Sequence, residues 1–104
     1  MSQIIGLRTQ LKPGVEEAYD LAHAQVWPEL VTVQRELGLE HWTIFRHGVD
    51  LFHVVECDDF DRAIEALAGN PIDQRWQAEM SKYVMPAESG RGAAVERLRL
   101  VYRR

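Results

Sequence analysis

Polar and apolar residues alternate at the start of the chain. In QIIGLRTQL, Ile5, Leu7, Thr9 and Leu11 fall on one face and Arg8 and Gln10 on the other, the period of a half-buried strand. Lys12-Pro13-Gly14 then turns the chain. From Val15 the repeat lengthens: Val15, Ala18, Ala22 and Val26 recur at helical spacing and form the expected core stripe. Pro28 interrupts this helix or opens a second one as its first residue. Leu30, Val33 and Leu37 extend the stripe to a stop at Gly38. HWTIFRH and DLFHVVEC flank Gly48-Val49, a two-residue hairpin turn with Gly in the first central position. In that register Trp42, Ile44 and Arg46 share a face with Leu51, His53 and Val55, while Thr43 and Phe45 lie with Phe52 and Val54. Asp58 is the expected cap of a helix that carries Phe60, Ile64 and Leu67 and stops at Gly69. Asn70-Pro71 restarts a helix with Asp73 in its first turn, where a carboxylate favours the dipole, and with Ile72, Trp76, Met80 and Tyr83 as its stripe. VMPAESGRGAA reads as a loop and VERLRLVY as a closing strand.

The order is β-α-β-β-α-β with the second α split at Gly69-Asn70-Pro71, an α+β ferredoxin-like plan with an antiparallel sheet. Both faces of the hairpin are substantially apolar, whereas a sheet with one wet face alternates cleanly. Helices cover one face. A second copy is the simplest cover for the other, which predicts a symmetric sheet-to-sheet homodimer, a dimeric α/β barrel-type assembly.

The length of 104 residues sets one domain, 1–104, with no internal repeat. A formal net charge of −4 makes a poor polyanion binder, so neither nucleic acid nor an anionic membrane surface is an expected partner. No apolar run has bilayer-spanning length, and MSQIIGLRTQ lacks the apolar stretch of a signal peptide. Cys57 is the single cysteine, so no internal disulfide and no cysteine-based zinc site forms; it reads as a small buried hydrophobe. These features together read as a cytoplasmic domain.

Chemistry concentrates in a few positions. Tyr19 and His23 are four apart and stack on one helix face, and Trp27 joins them if the helix runs on. Histidine exchanges a proton near neutral pH without a large pKa shift. On spacing alone, a histidine packed at a sheet edge beside a core tyrosine is the favoured reading of this pair. His41, His47 and His53 suggest a metal, but His53 faces away from the other two and no carboxylate cluster completes a site, so none is expected. Gln74-Arg75-Trp76 puts an amide, a guanidinium and an indole on one turn: either core plus surface, or an aromatic platform for a sugar. Gly90-Arg91-Gly92 is too short for a phosphate loop.

Y-x-x-x-H-x-x-x-W-P-E-L (Tyr19, His23, Trp27, Pro28, Glu29, Leu30), then Q-R-W-x-x-x-M (Gln74, Arg75, Trp76, Met80) and V-M-P (Val84, Met85, Pro86), resembles the L-rhamnose mutarotase family over most of the chain. The resemblance implies the dimeric ferredoxin-like fold and an aldose 1-epimerase activity. The α and β anomers of L-rhamnose or a related deoxy sugar would interconvert by acid–base ring opening and reclosure. It implies His23 as proton donor and Tyr19 as a sugar contact. A family tyrosine on the second strand is Trp42 here. Of two adjacent family tryptophans Trp76 is kept, and Gln77 takes the second place. Trp42 and Trp76 would stack on the sugar, Gln77 would contact it, and Trp27 would help wall the pocket. The chemistry requires no metal, nucleotide or redox cofactor. The changed positions Trp42 and Gln77 keep L-fucose or another aldose in view as substrate. Two further classes share the fold: a cofactor-free monooxygenase or small-ligand binder, and a non-catalytic sensor module.

Overall fold

The computed structural model describes residues 2–90 and 92–104, so Arg91 of the Gly90-Arg91-Gly92 run lies outside the described residues. In chain order the elements are β1 (Gln3–Gln10), α1 (Glu16–Ala24), α2 (Pro28–Glu36), β2 (Leu39–His47), β3 (Asp50–Cys57), α3 (Phe60–Ala68), α4 (Pro71–Met80) and β4 (Glu96–Arg97). The strands form one antiparallel sheet in the order β2-β3-β1-β4, the ferredoxin-like arrangement.

The hairpin has the predicted register, with Trp42 opposite Val55, Ile44 opposite His53 and Phe45 opposite Phe52. Gly48 supplies the one positive φ of the turn, +59°, which any Cβ-bearing residue would adopt only with strain. On β1, Ile5, Leu7 and Thr9 are buried beneath the helices, as alternation requires.

The first helical element differs from its predicted stripe. Tyr19, not Ala18, is the buried residue of α1, with Val15, Ala22 and Val26 packed around it. Apolar volume decides this: a phenol ring fills the space above the sheet that an alanine methyl cannot. Pro28 opens α2 as its first helical residue, and Trp27 before it is extended (φ −55°, ψ 125°). The helix therefore ends at Ala24 and does not reach Trp27.

Asp59, not Asp58, caps α3 by accepting from the Arg62 N–H. Asp58 instead continues the turn that follows β3, where its N–H donates to the Gly38 carbonyl. Asn70 caps α4 as predicted, accepting from the N–H groups of Ile72 and Asp73. The closing strand is shorter than the predicted 95–102: only Glu96–Arg97 pair with β1, followed by one bond from the Leu98 N–H to the Gly6 carbonyl. Leu100, Val101 and Tyr102 alternate as a strand would but have no partner strand among the described residues and stand exposed.

The core has two lobes. Ile5, Leu7, Leu39, Val55 and Cys57 of the sheet pack against Phe60, Ala63 and Leu67 of α3. Leu11 and Leu51 at the other end pack with Tyr19, Leu30, Trp76 and Met80. Arg46 ties β2 to α1 through a two-pronged bond to Asp20, at 2.8 and 2.7 Å. The outer sheet face carries exposed Phe45 and Phe52. Among the described residues no helix is long and apolar enough to cross a membrane.

Candidate functional site

Between the two lobes lies a cavity of about 650 Å³, a usual size for a small-molecule site. Tyr19 and His23 of α1, Trp42 of β2, and Trp76 and Gln77 of α4 all line it. One face of α1 and one face of α4 thus meet over the helix-covered face of the sheet. Trp27 does not line the cavity; the break before α2 sets its ring edge-on against Trp76 at 5.0 Å, where it braces that indole from behind.

His23 is oriented by its own helix. Its Nδ1 lies 3.3 Å from the Tyr19 carbonyl, which can only accept, so Nδ1 carries the proton. That leaves Nε2 with a free lone pair and no hydrogen bond among the described residues. The ring is held between Tyr19, 4.1 Å away, and the edge of Trp76, 5.4 Å away. Burial lowers its pKa, partly offset by the Tyr19 carbonyl and the nearby Asp20 carboxylate, so the imidazole rests neutral at pH 7. Burial, with Asp20 adding, pushes the Tyr19 phenol up to about 12. It therefore stays protonated, an O–H donor without a protein partner among the described residues.

Polar positions not expected at the site also line it, among them Thr9, His53 and Asp73. The Trp42 indole N–H donates to His53 Nδ1 at 3.0 Å, so His53 carries its proton on Nε2 and donates to Thr9 Oγ1, also at 3.0 Å. A cationic imidazole would have to give up the bond from Trp42. His53 has its pKa lowered to about 4, by burial first and by His23 second. Trp42 is thus a donor that holds the His53 ring in place, and its side chain lines the cavity. The hairpin register already placed His53 beside Trp42, so this contact was readable in principle. Asp73 shares a helical face with Trp76, Gln77 and Met80, a spacing signal masked by its suitability for the dipole. Gln74 and Arg75 are exposed, and Gln74 bonds the Ala68 carbonyl instead of facing the cavity. No group of three or more His, Cys, Asp or Glu able to hold a metal occurs among the described residues.

Neutral His53 makes stability acid-sensitive. Its folded pKa of about 4 lies below the ordinary 6.5, so below pH 6.5 the unfolded chain binds more protons. The contribution is complete above pH 6.5 and is lost as pH falls through 4. About 2–3 kcal/mol should disappear across that window. Urea midpoints measured from pH 7 to pH 4 on wild type and on His53→Ala check this: the pH slope should flatten in the variant, and an unchanged slope would exclude His53 as its source.

A family model described as L-rhamnose mutarotase matches residues 5–103. The L-rhamnose mutarotase of Klebsiella pneumoniae is 37% identical over 82 residues, covering 75% of either chain. That of Leptothrix cholodnii is 35% identical over 79 residues, covering 73% of each. Among solved structures, the L-rhamnose mutarotase from Formosa agariphila superposes with a TM-score of 0.83 at 22% identity over 98% of both chains. Tetracenomycin F2 cyclase from Streptomyces glaucescens superposes with a TM-score of 0.67 at 18% identity, over 97% of this chain and 95% of the cyclase, a likeness of fold alone.

Proposed function

The chain belongs to the L-rhamnose mutarotase family, and from that premise we propose that it interconverts the α and β anomers of a deoxy aldose, with L-rhamnose as the first substrate to test. One observation carries the proposal: His23 sits on the cavity with Nδ1 tied to its own helix and Nε2 open, between two aromatic walls.

Ring opening requires a proton to leave the anomeric hydroxyl and another to reach the ring oxygen. Both oxygens are bonded to C1, so a single nitrogen can reach each. Neutral His23 takes the hydroxyl proton on Nε2 and, now the proton donor, delivers it to the ring oxygen as the C1–O5 bond breaks. Rotation about C1–C2 presents the other carbonyl face, and the steps reverse. Tyr19 orients the sugar through its O–H, since a phenol with a pKa of about 12 does not shuttle protons at pH 7. Trp76 and the ring of Trp42 offer apolar faces for stacking, and Gln77 reaches the rim. The same proposal includes a homodimer in the cytoplasm. Support for the second copy comes from Phe45 and Phe52, exposed side by side on the outer sheet face, and from Leu100, Val101 and Tyr102, which alternate and stand exposed.

Saturation transfer between the anomeric protons of L-rhamnose and of L-fucose, at catalytic protein concentration, tests the activity. L-Rhamnose exchange should accelerate. No acceleration for these sugars or for a panel of other aldoses would end the proposal.

A further inference from the structure

Asp73 is the only Asp or Glu that is buried among the described residues, at 6% exposure. Its place in the first turn of α4 favours the helix dipole, but an exposed carboxylate there would serve the dipole as well and does not require burial. The helix end is already capped, because Asn70 Oδ1 takes the N–H groups of both Ile72 and Asp73. No ion pair reaches Asp73 among the described residues. Its only side-chain bond is a long one, from Gln77 Nε2 to Oδ1 at 3.4 Å, and Oδ2 has none. A carboxylate offers about four acceptor positions; no side-chain oxygen or nitrogen is both fully buried and unbonded among the described residues, so the unbonded Oδ2 is open to the cavity. The carboxylate lines the cavity, one turn before the Trp76 ring and with the Gln77 amide at the rim above it.

We propose that Asp73, with Gln77 beside it, is a hydroxyl-binding subsite that holds two adjacent hydroxyls of the sugar while Trp76 covers the ring's apolar face. This rests on the sugar reading above and deepens it. A carboxylate oxygen accepts from one O–H. The carboxamide donates to the neighbouring oxygen or accepts its proton. An indole at position 77, as the family pattern has, could donate through its N–H but could not accept. The subsite therefore makes recognition in this chain depend on hydroxyl placement next to α4, in addition to stacking. Burial, which raises the Asp73 pKa against the opposing Gln77 bond, is relieved when ligand hydroxyls complete the shell.

The test compares wild type, Asp73→Asn and Asp73→Leu for calorimetric Kd, for KM and kcat of anomer exchange, and for Tm, with L-rhamnose and L-fucose as probes. For the sugar that wild type binds better, Asp73→Leu should raise Kd and KM about 10–100-fold, the value of a bond to a charged group. The Asn variant should fall between. Tm should stay within a few degrees in both, and kcat should stay within a few-fold of wild type. Equal Kd in wild type and either variant, or no binding of either sugar by wild type, would overturn the subsite. Acceleration by wild type that is indifferent to Asp73 leaves the mutarotase standing without the subsite. Asp73-dependent binding without acceleration leaves the subsite standing without the mutarotase.

Discussion

Replacing His23 with Ala lowers the catalysed rate of anomer exchange by about 10²–10⁴-fold, the usual worth of a positioned acid–base group. The loss should fall on kcat, because Tyr19, Trp76 and Asp73 remain to bind sugar. Alanine also opens space between Tyr19 and Trp76, whose rings now pack on the imidazole at 4.1 and 5.4 Å. His23→Asn separates the two effects. Its amide N–H can reproduce the donation that His23 Nδ1 makes to the Tyr19 carbonyl, yet it has no nitrogen that accepts a proton at pH 7. Both variants should retain Tm within a few degrees and lose exchange together. Exchange at the wild-type rate in His23→Asn would remove His23 from the reaction, whatever the alanine variant does.

If the proposed homodimer forms through the outer sheet face, Phe45→Glu should convert it to monomers at micromolar concentration, read by sedimentation equilibrium. Phe45 is 62% exposed and stands directly across from Phe52 on the face opposite the helices. Burying a phenylalanine is worth about 2 kcal/mol. Two-fold symmetry makes each substitution count twice. The sum, about 4 kcal/mol, raises the dissociation constant by about 10³, before the added cost of desolvating a carboxylate. The cavity lies on the other side of the sheet, so the separated protomer should still bind sugar. A dimer of unchanged affinity would place the contact elsewhere.

Strand alternation made most of the architecture legible in advance. The β2–β3 register came out residue for residue, because a two-residue turn with Gly48 leading allows one pairing. Pro28 and Asn70 announced the helix starts they make. Misses occurred where packing outvotes local pattern. Ala18 and Tyr19 both fit an apolar stripe, and only the depth of the space above the sheet selects the larger ring. Asp58 and Asp59 are equally good caps in isolation; the turn that follows β3 uses the first, leaving the second to the helix. VERLRLVY has the period of a strand, but β1 pairs with only its first part. At the site, spacing put Tyr19 and His23 on one helix face and left Trp76 open between core and platform; the family resemblance, not spacing, assigned them roles. Thr9, His53 and Asp73 were not assigned, because each also satisfies a local rule for strand or helix, and their convergence depends on how α4 is laid over the sheet.

Cys57, sealed at the end of β3 in the lobe beneath α3, has one more consequence. Burial and the surrounding carboxylates keep its thiol protonated and out of reach. An alkylating reagent can label it only in molecules whose core has opened. The chain thus carries its own clock for unfolding, independent of ligand. A variant that loses sugar handling while its thiol stays silent has lost chemistry, and one that labels quickly has lost its fold.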